Sequence, residues 1–441
     1  MMKQQQFAQR QAGTRNKTGQ TYNQTHNETH DETGAAGASA TNPIFKSLMA
    51  TALLGAFALA GQGHAQAQEG LPITVSGFGT GALTRTDNDG AEFTRLNQVN
   101  GAAKDWRTGV DSNLGLQVTA KWSDTISFTA QGLVRKYGVH DDYQAELAWA
   151  FAKFKLNEDF SLRVGRIGMP VYFISDVRNV GYANTMLRPP TEMYRQVTFD
   201  SADGGDITYQ HSFGDNTVTA QFAVGNAKVR SSDGYKVDFK PVIAAQVLLE
   251  RGPFTYRIGH ARTEFTVGDN PRLDSLSTTL GALRLTNALN ELAYKDVKGQ
   301  FNSVGISMDY NNIVGLAEYA KRKSDSRLVQ DTTSWYAMLG YRFGKVLPYY
   351  VHGDVKQDSA RQLSSLPASG PLTAGVNSLI RAGLQTTDGV GVRWDFYKSA
   401  ALKVQVDRVN TRDGNGYFAN AKPGFAGSTV NVYAAAIDFV F

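Results

Sequence analysis

Cysteine is absent from all 441 residues, which excludes a disulfide framework and any thiolate metal site. Beyond residue 60 there is no apolar run of the roughly 20 residues that a helix needs to cross a bilayer. An excess of one charge is missing too: Lys and Arg total 45 against 40 Asp and Glu, and the basic residues are dispersed. No nucleic-acid footprint follows from such a pattern. After residue 67 no Pro-, Ser- or charge-rich linker divides the chain, so one continuous architecture is favoured over two domains.

What is present starts with a polar prefix, residues 1–42, rich in Gln, Thr and Asn and without a packable apolar face. Lys46 and the apolar, small-residue run Leu48 to Ala60 follow, then Ala65, Gln66 and Ala67. A short apolar stretch ending on Ala-x-Ala reads as a secretory signal peptide. Cleavage is expected after Ala67, with Ala65 as the alternative, so residues 1–67 are removed and 68–441 form the mature domain.

Beyond that point the dominant signal has a period of two. Leu114, Leu116, Val118, Ala120 and Trp122 alternate with Gly115, Gln117, Thr119 and Lys121. The chain turns at Ser123 to Thr125, and Ile126 to Tyr137 repeats the pattern, as in a β-hairpin. The same reading gives strands near 73–83, 114–122, 126–137, 143–156, 160–168, 205–213, 217–225, 241–250, 254–267, 299–310, 313–323, 332–343, 346–358, 389–397, 401–411 and 428–441. Tight turns alternate with much longer connections, Gly138 to Asp142 being the exception. Sixteen antiparallel strands with short turns at one end and long loops at the other describe a transmembrane β-barrel. Counting Ser378 to Thr386 as a further strand would break the alternation, so it is placed in the loop 359–388. A soluble β-sandwich is the bland alternative, but it has no need of the long-short rhythm.

The last segment presents Tyr433, Ala435, Ile437, Phe439 and Phe441 on one face, the ending expected of a strand that closes an outer-membrane barrel. Trp122, Trp149, Phe151, Trp335, Tyr341, Phe343, Tyr349, Trp394 and Phe396 are expected outward, near the headgroup level. The opposite faces carry Lys121, Arg135, Glu146, Arg163, Arg257, Asp309, Arg342, Arg393, Asp395, Lys403, Asp407 and Asp438. Charges of both signs on the inner face imply a wet lumen, which sixteen strands are wide enough to enclose. One long connection, Met169 to Gly204, is too apolar for a solvated loop and is expected to fold inward onto the wall, narrowing the pore.

These features together resemble the 16-stranded outer-membrane porins of Gram-negative bacteria. The likeness rests on the signal peptide, the strand-turn rhythm, "RVGRIGMPVYFISDVRNVGYANTMLRPPTEMY", "GVGVRWDFYKSAALKVQVDRVN" and the terminal "VYAAAIDFVF". It implies a homotrimer in outer-membrane lipid, inserted by the barrel-assembly machinery through Phe441, that passes ions and small hydrophilic solutes without a cofactor. It also implies a constriction with loop acids Asp176 and Glu192 facing wall arginines Arg135, Arg163 and Arg393, with Arg178 and Arg188 nearby. A substrate-selective channel is the closer rival, with Arg163, Arg178, Arg188 and Arg195 as an anion ladder. A barrel enzyme is the further one, with His140, His211, His260 and His352 as the only histidines expected to remain after processing, none beside a nucleophile or metal motif.

Overall fold

A strand sends successive side chains to opposite faces, so alternating oily and polar residues sort onto two surfaces once neighbouring strands pair. The computed structural model describes residues 71–441, in which Pro72–Val440 form one compact unit. The predicted signal peptide and its cleavage site lie outside the described residues.

The strands are β1 (Ile73–Thr86), β2 (Glu92–Phe93), β3 (Asn113–Lys121), β4 (Ile126–Lys136), β5 (Tyr143–Lys155), β6 (Phe160–Gly168), β7 (Ser201–Phe213), β8 (Asn216–Arg230) and β9 (Lys236–Arg251). They continue with β10 (Phe254–Gly268), β11 (Val297–Tyr310), β12 (Ile313–Ser324), β13 (Thr332–Tyr341), β14 (Val346–Gln357), β15 (Gln385–Tyr397), β16 (Ala400–Asn410), β17 (Phe418–Ala419) and β18 (Thr429–Val440). Sixteen close into an antiparallel barrel, each bonded to its sequence neighbours, with β1 bridging β18 and β3; the short β2 and β17 pair apart from it. Every segment expected to be a strand is one. Closure leaves no free edge, which rules out the sandwich alternative.

The short turns hold because their residues tolerate positive φ, as tight hairpins demand. Asn311 and Asn312 have φ of 47° and 70°, and Gly252 has 56°. Residues 378–386 do not form a further strand: a helix, Pro371–Leu379, ends there and β15 begins at Gln385. Helices in the long connections were not anticipated. Pro271–Ala282 starts on Asn270, whose side chain accepts from the Leu273 amide, and its Pro271 sits where a missing N–H does no harm.

Trp122, Tyr341, Phe343, Trp394 and Phe396 are exposed on the outer face, as expected. Trp149 and Phe151 are a correction. Gln131 pairs with Trp149 while Gly132 pairs with Leu147, so Ala148 is an extra residue in β5. This bulge reverses the parity, and both Glu146 before it and Phe151 after it point inward. There the Arg163 guanidinium lies 5.2 Å from the Phe151 ring centre. Tyr349 also faces in, donating to the Gln405 side chain at 2.7 Å, while Tyr350 is outward. β14 has apolar residues on both faces, which leaves its alternation without contrast.

Candidate functional site

The connection between β6 and β7 enters the barrel because its apolar residues find the inner wall. Met169, Tyr172, Met193 and Tyr194 are fully or nearly fully buried against Ala244, Phe301 and Tyr336. The Tyr172 ring lies 4.6 Å from Tyr194 and 5.4 Å from Phe301, centre to centre. Burying such a set at the usual gain per unit area supplies the driving force for an inward loop.

Polar anchors then fix where the loop crosses. On one side Glu318 of β12 accepts from the Phe173 amide at 2.9 Å, from the Tyr336 hydroxyl at 2.8 Å and from the Tyr194 hydroxyl. Arg257 of β10 donates to the Pro170 carbonyl at 2.9 Å. On the far side Arg393 donates to the Tyr182 and Asn184 carbonyls at 2.8 and 2.9 Å. Lys403 donates to Gly181 O at 2.7 Å and ion-pairs with Asp438 at 2.8 Å. These three wall cations thus satisfy loop carbonyls that a buried, irregular segment would otherwise leave unpaired.

Arg188 joins three parts of the molecule. Its guanidinium bonds Asp111, in the connection after β2, and Asp407 of β16, both at 2.7 Å, with only 3% of the side chain exposed. Burial alone would lower the Arg188 pKa, but the two carboxylates outweigh it and hold the group more firmly charged. Burial likewise pushes the Asp111 carboxyl up, and Arg188 and Arg95 together bring it well below the ordinary carboxylate range.

The expected polarity of the constriction is therefore corrected. Glu192 does not face an arginine: it is 1% exposed and accepts from Gln385 at 2.6 Å and from Thr387. Burial pushes its carboxyl up. Arg393 serves the loop backbone and Asp395 rather than a loop acid. The contacts run mostly the other way, from loop cations to carboxylates. Glu192→Gln is thus expected to leave ion selectivity unchanged, which bilayer reversal potentials would check.

Inside the barrel, one charged group keeps access to water beside the loop. Arg178 pairs with Asp200 at 2.8 Å; Arg135 of β4 pairs with Asp200 at 3.2 Å and with Glu146 of β5 at 2.7 Å. Glu146 is 34% exposed, Arg135 and Asp200 22% each. Arg163 pairs with Asp206 on the adjacent strand and also feels the attraction of Asp176. Of the residues expected at the constriction, Asp176, Arg178, Arg135 and Arg163 come together here; Glu192, Arg188 and Arg393 are buried fasteners elsewhere. Sequence reasoning missed Asp111, Asp200, Asp206 and Glu318, partners whose roles depend on contacts between distant segments.

His211, His260 and His352 lie on different strands, β7, β10 and β14. His211 lies 3.1 Å from Asp159, His260 2.8 Å from Asn302 and His352 2.8 Å from Asp388. Among the described residues no cluster of three His, Cys, Asp or Glu side chains has the arrangement to hold a metal.

A closed sixteen-stranded antiparallel barrel crossed by its third long loop is the fold of the outer-membrane porins. Among solved structures the chain is similar to an anion-selective porin from Comamonas acidovorans, at 14% identity over 84% of this chain and 100% of that one, with a TM-score of 0.53. It is similar also to the outer-membrane channel DcaP of Acinetobacter baumannii (10% identity, 86% and 100% covered, TM-score 0.51) and to Salmonella typhi OmpF (14% identity, 84% and 98% covered, TM-score 0.50). No protein-family model and no curated protein sequence matches the chain.

Proposed function

We propose that this chain is an outer-membrane porin of a Gram-negative bacterium, passing ions and small hydrophilic solutes by diffusion. The observation that carries the reading is the pairing of an oily outer face with a charged interior, in which Arg135, Glu146, Arg178 and Asp200 keep contact with water beside the inward loop. Such a surface suits lipid outside and water within. Opposite charges across a narrow passage set up a transverse field that sorts small ions. The balance of signs favours a weakly selective pore. An anion ladder is less well supported, because Arg188 is consumed by two carboxylates and Arg195 by the Thr94 carbonyl at 2.9 Å.

Planar-bilayer recording tests the reading: conductance proportional to salt, with a small reversal potential, is expected for diffusion. A saturating conductance with strong anion preference would instead favour the ladder. We further infer that residues 1–67 are removed on export and that copies meet as a trimer near the first and last strands of the barrel, β1 and β18. Two outcomes are expected: an amino-terminal residue of Gln68 in the mature protein, read by mass spectrometry, and a slow-migrating band on semi-native gels that boiling converts to the unfolded monomer.

A further inference from the structure

The outer face is oily up to a sharp boundary on strands β10 to β14. Ile258, Val304 and Tyr319, on β10, β11 and β12, are 60%, 47% and 41% exposed. They form one cross-strand row, since Ile258 pairs with Val304 and Val304 with Tyr319. One step toward the long-loop end the row becomes Asn302, Lys321, Thr333 and Lys356; one step further it becomes Arg262, Gln300 and Lys323.

Arg262, Lys321, Lys323 and Lys356 are all exposed, and none makes an ion pair among the described residues. Some outward charges elsewhere are matched. Arg166 is paired with Asp203 at 2.7 Å, and Arg408 stands opposite Asp388 in the register. Lys298, the next cation up, has Glu264 directly opposite. Arg262 and Lys323 are two strands apart, as are Lys321 and Lys356, so each pair is separated by about 10 Å. The nearest acids, Glu264 beside Arg262 and Asp358, which accepts from the Thr333 hydroxyl at 2.6 Å, form no ion pair with these four cations, so a bound anion would relieve their mutual repulsion.

We propose that these four side chains form a site for the phosphate of a lipid headgroup, with the lipid's chains lying on the oily wall below. The inference rests on the membrane-embedded reading given above. A soluble anion accounts for the cations alone; a lipid accounts for the cations and for the apolar row two residues beneath Lys321. Lower on the wall, toward the short turns, lies an open apolar depression of about 690 Å³ lined outward by Leu339, Tyr341, Pro348, Val390, Val392 and Val404. Each basic side chain near a charged lipid surface contributes on the order of 1 kcal/mol, or about fivefold in affinity.

The test is native mass spectrometry of the full barrel from mixed micelles containing phosphatidic acid or phosphatidylcholine. The wild type is expected to retain phosphatidic acid selectively. The variant Arg262→Gln/Lys321→Gln/Lys323→Gln is expected to lose roughly a hundredfold in that affinity, and Lys321→Arg/Lys323→Arg to keep it. Equal retention of the two lipids, or no loss in the triple variant, overturns the proposal. So does full displacement by millimolar inorganic phosphate, which would mark a site for the free anion. Because the three side chains lie on the outer face, the conductance of the triple variant is expected to match the wild type. A wild-type protein that never conducts would speak against the pore reading, independently of lipid retention.

Discussion

Arg188→Met is expected to raise single-channel conductance and to make it noisy, because it cuts the fastener between the inward loop and two other segments. Methionine roughly fills the space of the stem but leaves Asp111 and Asp407 facing one another, buried, without their shared cation. Removing one partner from a buried ion pair costs about 3–5 kcal/mol, most of it the penalty on the stranded charge. Here that charge is Asp407, since Asp111 keeps Arg95 at 3.0 Å. The sixteen-strand ladder does not depend on them, so the loss is expected to fall on the loop, whose residues from Gly181 to Thr191 would lose their position while the barrel persists. Semi-native gel mobility measures the barrel, and bilayer recording the loop. An unchanged conductance, with the barrel intact, would show that Arg188 does not hold the loop in the passage. Acid alone is not expected to mimic the mutation. A carboxyl held below its ordinary pKa contributes stability that is fully present above that ordinary value, 3.8, and is lost only as the pH falls through the depressed one. For Asp111 the clamp to Arg188 should therefore persist at pH 4.

The barrel was legible because closure imposes one rule on every strand: oil on one side, water on the other. Sixteen segments obeyed it closely enough to be counted, and the alternation of turn lengths fixed the direction of each. Misread faces trace to local breaks in that rule. The bulge at Ala148 adds a residue with no mark in composition, and everything beyond it in β5 changes side. In β14 and β12 both faces carry apolar residues, since the inner one packs against the loop rather than against water. Glu318, the anchor for three loop groups, was hidden in such a stretch.

The inward loop was legible from its apolar content, but the roles of its charges were not. An acid on the loop and a base on the wall read naturally as facing partners across water, yet Glu192 is buried among neutral donors and Arg393 turns to backbone carbonyls. What decides between an exposed and a buried charge is how closely two segments approach, and that distance is written in no single stretch of sequence. Asp111 and Arg188 are separated by 77 positions, and β2 and β17 join the first and last long connections.

Asp200→Asn is expected to shift the pore toward anions, because it removes one of two carboxylates balancing Arg135 and Arg178. Burial raises the Asp200 carboxyl, and Arg178 and Arg135 more than offset this, so the group is ionised at neutral pH and its charge belongs to the resting field. With Asn in its place the local group gains one net positive charge. At about 4 Å a unit charge acts on a passing ion with roughly 1 kcal/mol in water and more where the walls exclude it. Cation permeability relative to anions is thus expected to fall at least about fivefold, read as a displaced reversal potential under a salt gradient. Arg135→Gln removes a charge of the opposite sign from the same group and is expected to move the potential in the opposite direction. Raising the salt should shrink both shifts, since the screening length falls from about 10 Å at 0.1 M to about 3 Å at 1 M. If the two substitutions leave the potential where it was, ions do not pass this group, and the passage must lie on another side of the loop.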